Sequence, residues 1–522
     1  MTPATPSKTS ARGRTLQEQA PESLYATVRR ALAWSTFGTV LLRIGNLAIG
    51  IVAARLLVPA EFGIFAVALI VHSVIINISD VGVSAYLVRH PAPSRTLVAT
   101  VLTLALLVSV GLACGMALFA RQLAGALGGA QATDVIRALS ITVVLAGFTS
   151  VPGAMLIRAF RQKARFAADG CGFVVSSVFL VVLALSGQGA MALAWSRVLG
   201  ALVSAAIVLL LAPRLPRPSF DAVQAVALMR FGLPLVGNSL IGFVLLNIDY
   251  VIISRLLGSE KLGIYYLAFN IANWPYMIVA PVLSSVALAG LARVVSTPER
   301  FVSVTSKGLS LLLAVTLPAS LLIAVLASPL VETLYGAKWL PATTALVYIA
   351  VFSAVKVPVD LLSNVGLALG RTGHLLMIQV FYGALLVPMT YALVARNGIA
   401  GAGQAHVLAA VTVLLPATVI VAVRGTALTA RELCRPCLPP VIASVLSALA
   451  AFGVAHLLVP TSASSTLSLF LGGVAGVSLY TLMVGRWLRR TVASLRGGEP
   501  PATGLSFPQG EPATVHQEAT GR

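Results

Sequence analysis

Charge is what this chain has least of. Of its 522 residues only 10% are charged, while 58% are hydrophobic, and a soluble globular chain is closer to a quarter charged. Acidic side chains are the scarcest, with 16 Asp and Glu against 36 Lys and Arg. Cysteine is nearly absent: Cys114, Cys171, Cys434 and Cys437. Cys434-Arg-Pro-Cys437 reads as a lone CxxC in a basic loop, without the second pair that a four-ligand zinc site wants, so no metal is expected. No GxxxxGK[ST] occurs, which excludes an ATPase of the phosphate-loop type within the chain. No HExxH or Ser/His/Asp arrangement occurs either. Between the apolar runs no connection is much longer than about twenty residues, which leaves no room for a soluble catalytic domain. The chain is therefore expected to be no enzyme and to need no cofactor.

What is present is apolar sequence, with a mean hydropathy of +0.95. Runs of about 20 apolar residues mark membrane helices. Fourteen are predicted, over 33–56, 62–86, 96–120, 135–157, 167–186, 190–212, 229–254, 262–289, 308–328, 340–369, 374–395, 400–423, 438–459 and 466–487. Spans five and six are split only by Gly187-Gln188-Gly189. The first run is too long for a signal-peptide core and has no convincing cleavage pattern, so it is read as a retained span. The net charge of +20 does not indicate nucleic acid, because the basic residues are scattered through short loops. One set of loops holds Arg29, Arg30, Arg89, Arg95, Arg158, Arg161, Lys163, Arg165, Arg214, Arg217, Arg293, Arg300, Lys307, Arg424, Arg431, Arg435 and the cations after Arg486. The opposite set holds few: Arg55, Arg121, Arg255, Lys261, Lys338 and Arg396. By the positive-inside rule both termini are expected in the cytoplasm, at the inner membrane.

Arg55-Leu-Leu-Val-Pro-Ala-Glu-Phe-Gly63-Ile recurs as Arg255-Leu-Leu-Gly-Ser-Glu-Lys-Leu-Gly263-Ile, with Arg, Leu, Leu, Gly and Ile at a constant offset of 200. Six spans separate the copies, so both halves point the same way. The expected fold is an all-α polytopic membrane protein, with two six-helix lobes in a parallel repeat plus two C-terminal helices. The boundaries are a polar tail over 1–30, a first lobe over 31–212, a linker over 213–228 and a second lobe over 229–424. Spans thirteen and fourteen follow over 437–488, then a disordered cytoplasmic tail over 489–522.

Four stretches then carry a resemblance. They are Arg55-Leu-Leu…Glu-Phe-Gly63, Ile78-Ser-Asp-Val-Gly-Val-Ser-Ala-Tyr-Leu-Val-Arg89, Asn247-Ile-Asp-Tyr…Gly258 with Leu262-Gly-Ile-Tyr-Tyr-Leu-Ala-Phe-Asn-Ile-Ala-Asn273, and Leu369-Gly-Arg-Thr-Gly373. In order, spacing and topology they resemble the polysaccharide exporters and oligosaccharide flippases (Wzx-type) of the multidrug/oligosaccharidyl-lipid/polysaccharide superfamily, over about residues 31–490. The resemblance implies a twelve-helix, two-lobed core, often with two added helices. It implies movement of a polyprenyl-diphosphate-linked oligosaccharide from the inner to the outer leaflet by alternating access. The implied partners are that lipid-linked oligosaccharide and membrane lipids, with a polysaccharide polymerase and glycosyltransferases as candidate neighbours in assembly.

The intramembrane charges are read from this sequence alone. An ionisable residue inside a span is a functional candidate by default. Asn238, Gly242, Leu245 and Asp249 share one helix face, which should point to a cavity or to the other lobe. Asp249 is either a cavity or ion site or one half of an interhelical pair. Arg43 and Asn46 lie near the middle of span one, and Arg197 about two turns into span six. A diphosphate needs cationic partners, and guanidinium offers bidentate geometry. Arg43 and Arg197 are thus candidate headgroup ligands, the alternative being pairing with Asp80, Asp169 or Asp249. Lys356-Val-Pro-Val-Asp360, with Asn364 one turn on, reads as a charged, proline-broken midmembrane helix of the kind transporters use at binding sites, or as a neutralised pair. Asn270, Asn273, Pro275 and Pro281 suggest a polar wall or interhelical glue. Asp249, Asp360 and His406 are the candidates for ion coupling. Rival readings are a cation-coupled multidrug exporter of the same fold, which predicts acidic and aromatic cavity residues, and a polymerase or non-transporting scaffold of a glycan assembly complex.

Overall fold

The computed structural model describes residues 20–80, 83, 86, 87, 90, 93–159, 161–212, 217–277, 297–458 and 464–496, apart from the side chains of 20–37, 234, 235, 238, 241, 243–246 and 492–496. Among the described residues every regular element is helical. The first set comprises α1 (Ala20–Leu56), α2 (Pro59–Asp80), α3 (Arg95–Leu118), the short α4 (Ala120–Ala126), α5 (Thr133–Arg158), α6 (Gln162–Leu185) and α7 (Ala190–Leu211). The second comprises α8 (Ala222–Ala272), α9 (Pro298–Val325), the short α10 (Ala327–Tyr335), α11 (Thr343–Ala368), α12 (Thr372–Asn397), α13 (Ile399–Ala409) and α14 (Leu415–Val423). Two further helices close the chain, α15 (Ala430–Gly453) and α16 (Ser465–Arg496).

Twelve helical segments among the described residues are long and apolar enough to cross a membrane. The remaining two of the fourteen expected spans, 229–254 and 262–289, fall on α8 and on 278–296; the latter stretch, with Pro281, lies outside the described residues. Gly258, at φ 85°, bends α8 into two arms, a left-handed backbone that a Cβ disfavours. Three expected boundaries shift. Residues 20–30 and 489–496, expected in polar tails, are helical, as is the end of the 213–228 linker from Ala222 onward. Asp221 starts α8 early by accepting from the Val223 and Gln224 amides at 2.9 and 3.3 Å, which satisfies N-terminal donors that have no helical partner. Arg431, Arg435 and the CxxC, expected in a loop, lie inside α15. There the Thr429–Glu432 capping box nucleates a helix about two turns ahead of the hydrophobic signal. All four cysteines are free.

Within the first set, α6 and α7 form a tight hairpin and α3 packs on α5. Gly38 and Gly45 let α1 approach Phe166 and Phe173 of α6. In the second set α9, α11, α13 and α14 pack in the same manner. The last two helices attach to the second set: α15 lies along α9, and α16 packs on α15 and α10. Gly472 and Gly476 face Ala451 of α15, and Ser447 donates to the Gly476 carbonyl at 2.7 Å, a small-residue seam typical of membrane helices.

The two sets meet mainly where α2 lies along α8. A Cβ on Gly63 would stand 1.6 Å from the Ser259 carbonyl oxygen, and one on Gly263 would stand 1.9 Å from that of Pro59. The two glycines of the 200-residue repeat therefore pack backbone to backbone. Around them one buried cluster takes residues from both sets, including Ala54, Phe62, Ile136, Ile253, Tyr265 and Trp339. At the opposite end, two separate clusters form. One gathers Leu87, Val101, Val151 and Leu228; the other gathers Phe301, Leu362, Leu428 and Leu433. Among the described residues the sets share one large cluster at the end bearing the α1–α2 turn; at the other end they form two clusters, the first of which also takes in Leu228 from the start of α8.

Candidate functional site

Three cations approach the distal arm of α8, each from a different helix: Arg43 and Arg197 from the first set, Lys356 from within the second. The distal arm of α8 continues helically through Trp274–Met277 and supplies the surface they share. Arg43, half-buried on α1, donates through Nη1 to the Met277 carbonyl. Lys356, half-buried on α11, sits 3.8 Å from the centre of the Tyr276 ring and 3.0 Å from an Asp360 carboxylate oxygen. Arg197, exposed on α7, lies within electrostatic reach of Tyr266 on α8 and His72 on α2. Tyr266, Asn270, Asn273 and Met277 recur at helical spacing, so one face of the α8 arm runs from the Arg197 neighbourhood to the Arg43 contact.

The sequence-predicted alternatives for the arginines resolve in part. Asp169 faces Arg165 at 3.8 Å and accepts from Ser204 at 3.3 Å, in a cleft of about 220 Å³ among α5, α6 and α7 lined also by Thr142 and Thr149. Asp249 is likewise taken by other partners. Arg43 holds a backbone carbonyl, a neutral acceptor that an anion can displace. Asn46, Asn270, Asn273 and Asn364 each donate to a carbonyl four residues back on their own helix, at 2.7 to 3.0 Å; none of these bonds joins two helices. The expected break at Pro358 does not occur, since α11 runs helically through it. The backbone of Asn238 is helical, and its side chain lies outside the described residues.

Of the two readings open for Asp249, the structure shows an interhelical pair. It is fully buried inside the second set. One carboxylate oxygen accepts from the Tyr265 hydroxyl at 2.5 Å and meets His406 Nε2 at 3.3 Å. The other accepts from the Tyr250 amide at 3.0 Å. His406 Nδ1 in turn meets the Tyr382 hydroxyl at 3.2 Å, and Phe352 covers the imidazole with ring centres 4.8 Å apart. The site draws on both arms of α8 and on α11, α12 and α13. Desolvating a carboxylate is costly unless its lone pairs are filled, and here two hydrogen bonds and a histidine fill them. Directly after α13 comes a π turn, Ala410–Leu414, and Pro416 has no amide to continue an α ladder; such turns often sit at functional sites.

Sequence reasoning missed Tyr265 and Tyr382, because nothing in local spacing links them to Asp249. It also missed His72, buried on α2, whose Nε2 lies 2.7 Å from Thr142 Oγ1 and whose Nδ1 has no hydrogen-bond partner. Among the described residues no cluster of three or more His, Cys, Asp or Glu could hold a metal ion.

Comparison with known proteins supplies context for this geometry. The family described as polysaccharide biosynthesis protein matches residues 52–344. The succinoglycan biosynthesis transport protein ExoT of Rhizobium meliloti (strain 1021) is 27% identical over 340 residues, covering 64% of this chain and 67% of that protein. The lipopolysaccharide biosynthesis protein WzxC of Escherichia coli (strain K12) is 25% identical over 380 residues, 71% of this chain and 75% of that one. Among solved structures, the lipid II flippase MurJ in an inward closed conformation superposes with a TM-score of 0.70 at 13% identity, over 87% of this chain and 100% of that chain. An inward-facing multidrug resistance transporter of the MATE family, in the MOP superfamily, gives 0.55 at 16% identity, over 74% and 94%. At these identities the two structures establish a shared fold.

Proposed function

We propose that this chain, which belongs to the polysaccharide biosynthesis protein family, is a flippase that carries a lipid-linked oligosaccharide from the cytoplasmic to the outer leaflet by alternating access. The observation that carries this reading is the approach of Arg43, Arg197 and Lys356 to the distal α8 arm, the two arginines from the opposite half. A polyprenyl diphosphate carries an anionic headgroup, and guanidinium groups match it. Arg43 would exchange a carbonyl for a phosphate oxygen, and Arg197 would meet the headgroup with its charge already exposed. Lys356, held by Asp360, adds positive field at lower mobility. The relatives named for succinoglycan transport and lipopolysaccharide biosynthesis support a saccharide cargo.

Around that core the proposal extends outward. Fourteen spans in two six-helix lobes and a C-terminal pair, with both termini in the cytoplasm of an inner membrane, agree with the loop charges. A polymerase and glycosyltransferases would be its partners in assembly. The buried Asp249–His406 pair is the site we assign to ion coupling, because a carboxylate and an imidazole in contact can share one proton, which a change of conformation would have to expose to one face of the membrane or the other. Asp360, already paired with Lys356, takes no part in this assignment. The multidrug reading wants acidic and aromatic cavity residues; Asp360, Tyr266 and Tyr276 answer to that description, and Arg43 and Arg197 oppose it.

The test is leaflet transfer of a fluorescent polyprenyl-diphosphate oligosaccharide in vesicles. Arg43→Ala and Arg197→Ala should each slow transfer at least tenfold, and Asp249→Asn should remove its response to a proton gradient. Undiminished transfer in both arginine variants would refute the anionic-headgroup site.

A further inference from the structure

We infer that Arg55 and Arg255, the first residues of the two repeat copies, are reciprocal latches that hold the lobes together on the side of the α1–α2 turn. Each one caps the C-terminus of a short helix in the opposite lobe. Arg55, at the end of α1, donates through Nε to the Leu334 carbonyl at 2.8 Å and through Nη2 to the Thr333 carbonyl. Those carbonyls belong to the last turn of α10. Arg255, in α8, donates through Nε to the Ala126 carbonyl at 2.7 Å and through Nη2 to the same oxygen. Ala126 is the last residue of α4. The last carbonyls of a helix have no helical donor and carry its negative partial charge, so a guanidinium there satisfies both needs.

The two contacts are one arrangement used twice. Each short helix is followed by a glycine at positive φ, Gly128 or Gly336, then by a 3₁₀ turn, then by a long helix. The repeat glycines Gly63 and Gly263 touch between the two latches. The α10 side adds support: Lys338 donates to the Arg55 and Leu57 carbonyls at 3.0 and 2.7 Å, and Trp339 Nε1 to that of Ala54 at 2.8 Å. Among the described residues neither arginine makes an ion pair with a carboxylate. The latch thus acts on backbone carbonyls, which do not titrate, so it opens by mechanical separation of the lobes rather than by protonation. Because both arginines span the same two lobes, release at one loads the other, and the two should part together.

This inference rests on the alternating-access reading, and its test therefore uses accessibility, with leaflet transfer measured separately. In a chain whose four cysteines are replaced by serine, Ser254→Cys places a thiol at a buried position of α8, against which Gly128 packs. Ser306→Cys places a control thiol at a buried position of α9, at the far end of the second lobe. A membrane-impermeant maleimide reports both. Arg55→Met or Arg255→Met should speed labelling of Cys at 254 about tenfold, the double variant should exceed either single one, and the control at 306 should stay silent. If the methionine variants unfold, both thiols will label. Arg55→Lys and Arg255→Lys then decide, with an expected rise of a few fold at 254 only. Unchanged labelling at 254 in the folded single and double variants overturns the latch, as does a full effect from one arginine with none from the other. Faster labelling at 254 beside a wild type that transfers no saccharide lipid would sink the cargo assignment and leave the latch standing.

Discussion

Replacing Gly63 with alanine places one methyl group where the lobes touch. Its Cβ would sit 1.6 Å from the Ser259 carbonyl oxygen, whereas a carbon and a carbonyl oxygen settle at about 3.3 Å. The helices α2 and α8 must therefore part by roughly 1.7 Å along that line. Both neighbours are backbone, so no side chain can swing aside. Overpacking of this kind costs about 1–3 kcal/mol. The gain in helix propensity from Gly to Ala, about 1 kcal/mol, applies equally whether the lobes are joined or apart, and cancels from their equilibrium. A shift of ~2 kcal/mol is about thirtyfold, enough to turn a joined state populated 99 to 1 into one near 3 to 1. The open fraction rises from about 1% to about 25%, so the buried thiol at position 254 should react about twenty-five times faster with an impermeant maleimide, while α-helical content holds. An unchanged labelling rate in folded Gly63→Ala would refute the claim that these glycines form the contact across which the lobes separate. Gly263→Ala, 1.9 Å from the Pro59 oxygen, should behave alike.

Two further outcomes follow from the same packing. Trp339→Ala removes a fully buried ring, its bond to Ala54 and its edge contact with Phe62; a loss of about 3–5 kcal/mol is expected, seen as a lower thermal midpoint in detergent, with Trp339→Phe intermediate. Lys356→Met leaves the half-buried Asp360 carboxylate without its ammonium partner and should destabilise by about 1–3 kcal/mol. Adding Asp360→Leu should recover most of that stability without recovering transport, and a midpoint that stays low in the double variant would show that the pair is not the cause.

Much of the architecture was open to reading because a membrane allows few solutions. The runs that must satisfy their own backbone as helices are visible as hydropathy, and the split at Gly187-Gln188-Gly189 falls between α6 and α7 as expected. The Arg-Leu-Leu repeat was legible as five matched letters. The second repeat, short helix, glycine, 3₁₀ turn and long helix, shares geometry with little sequence and so escaped notice. The site was legible only by residue type. Arg43 bonds a backbone carbonyl, which no count of charges can foresee. Asp249 and His406 are 157 positions apart, and the partner Tyr265 lies beyond the bend at Gly258, where helical spacing no longer predicts which side chains face each other.

In the vocabulary of oligomers the glycine-to-glycine contact is isologous: the Pro59–Gly63 backbone faces its own counterpart, Ser259–Gly263, across a local two-fold axis. Such a surface complements a copy of itself, so each half of the chain carries what a homodimer of halves would need at that seam. The covalent link between the halves then has little to specify there. A chain severed in the linker and expressed as two polypeptides should reassemble through this seam, in competition with each half pairing with its own kind.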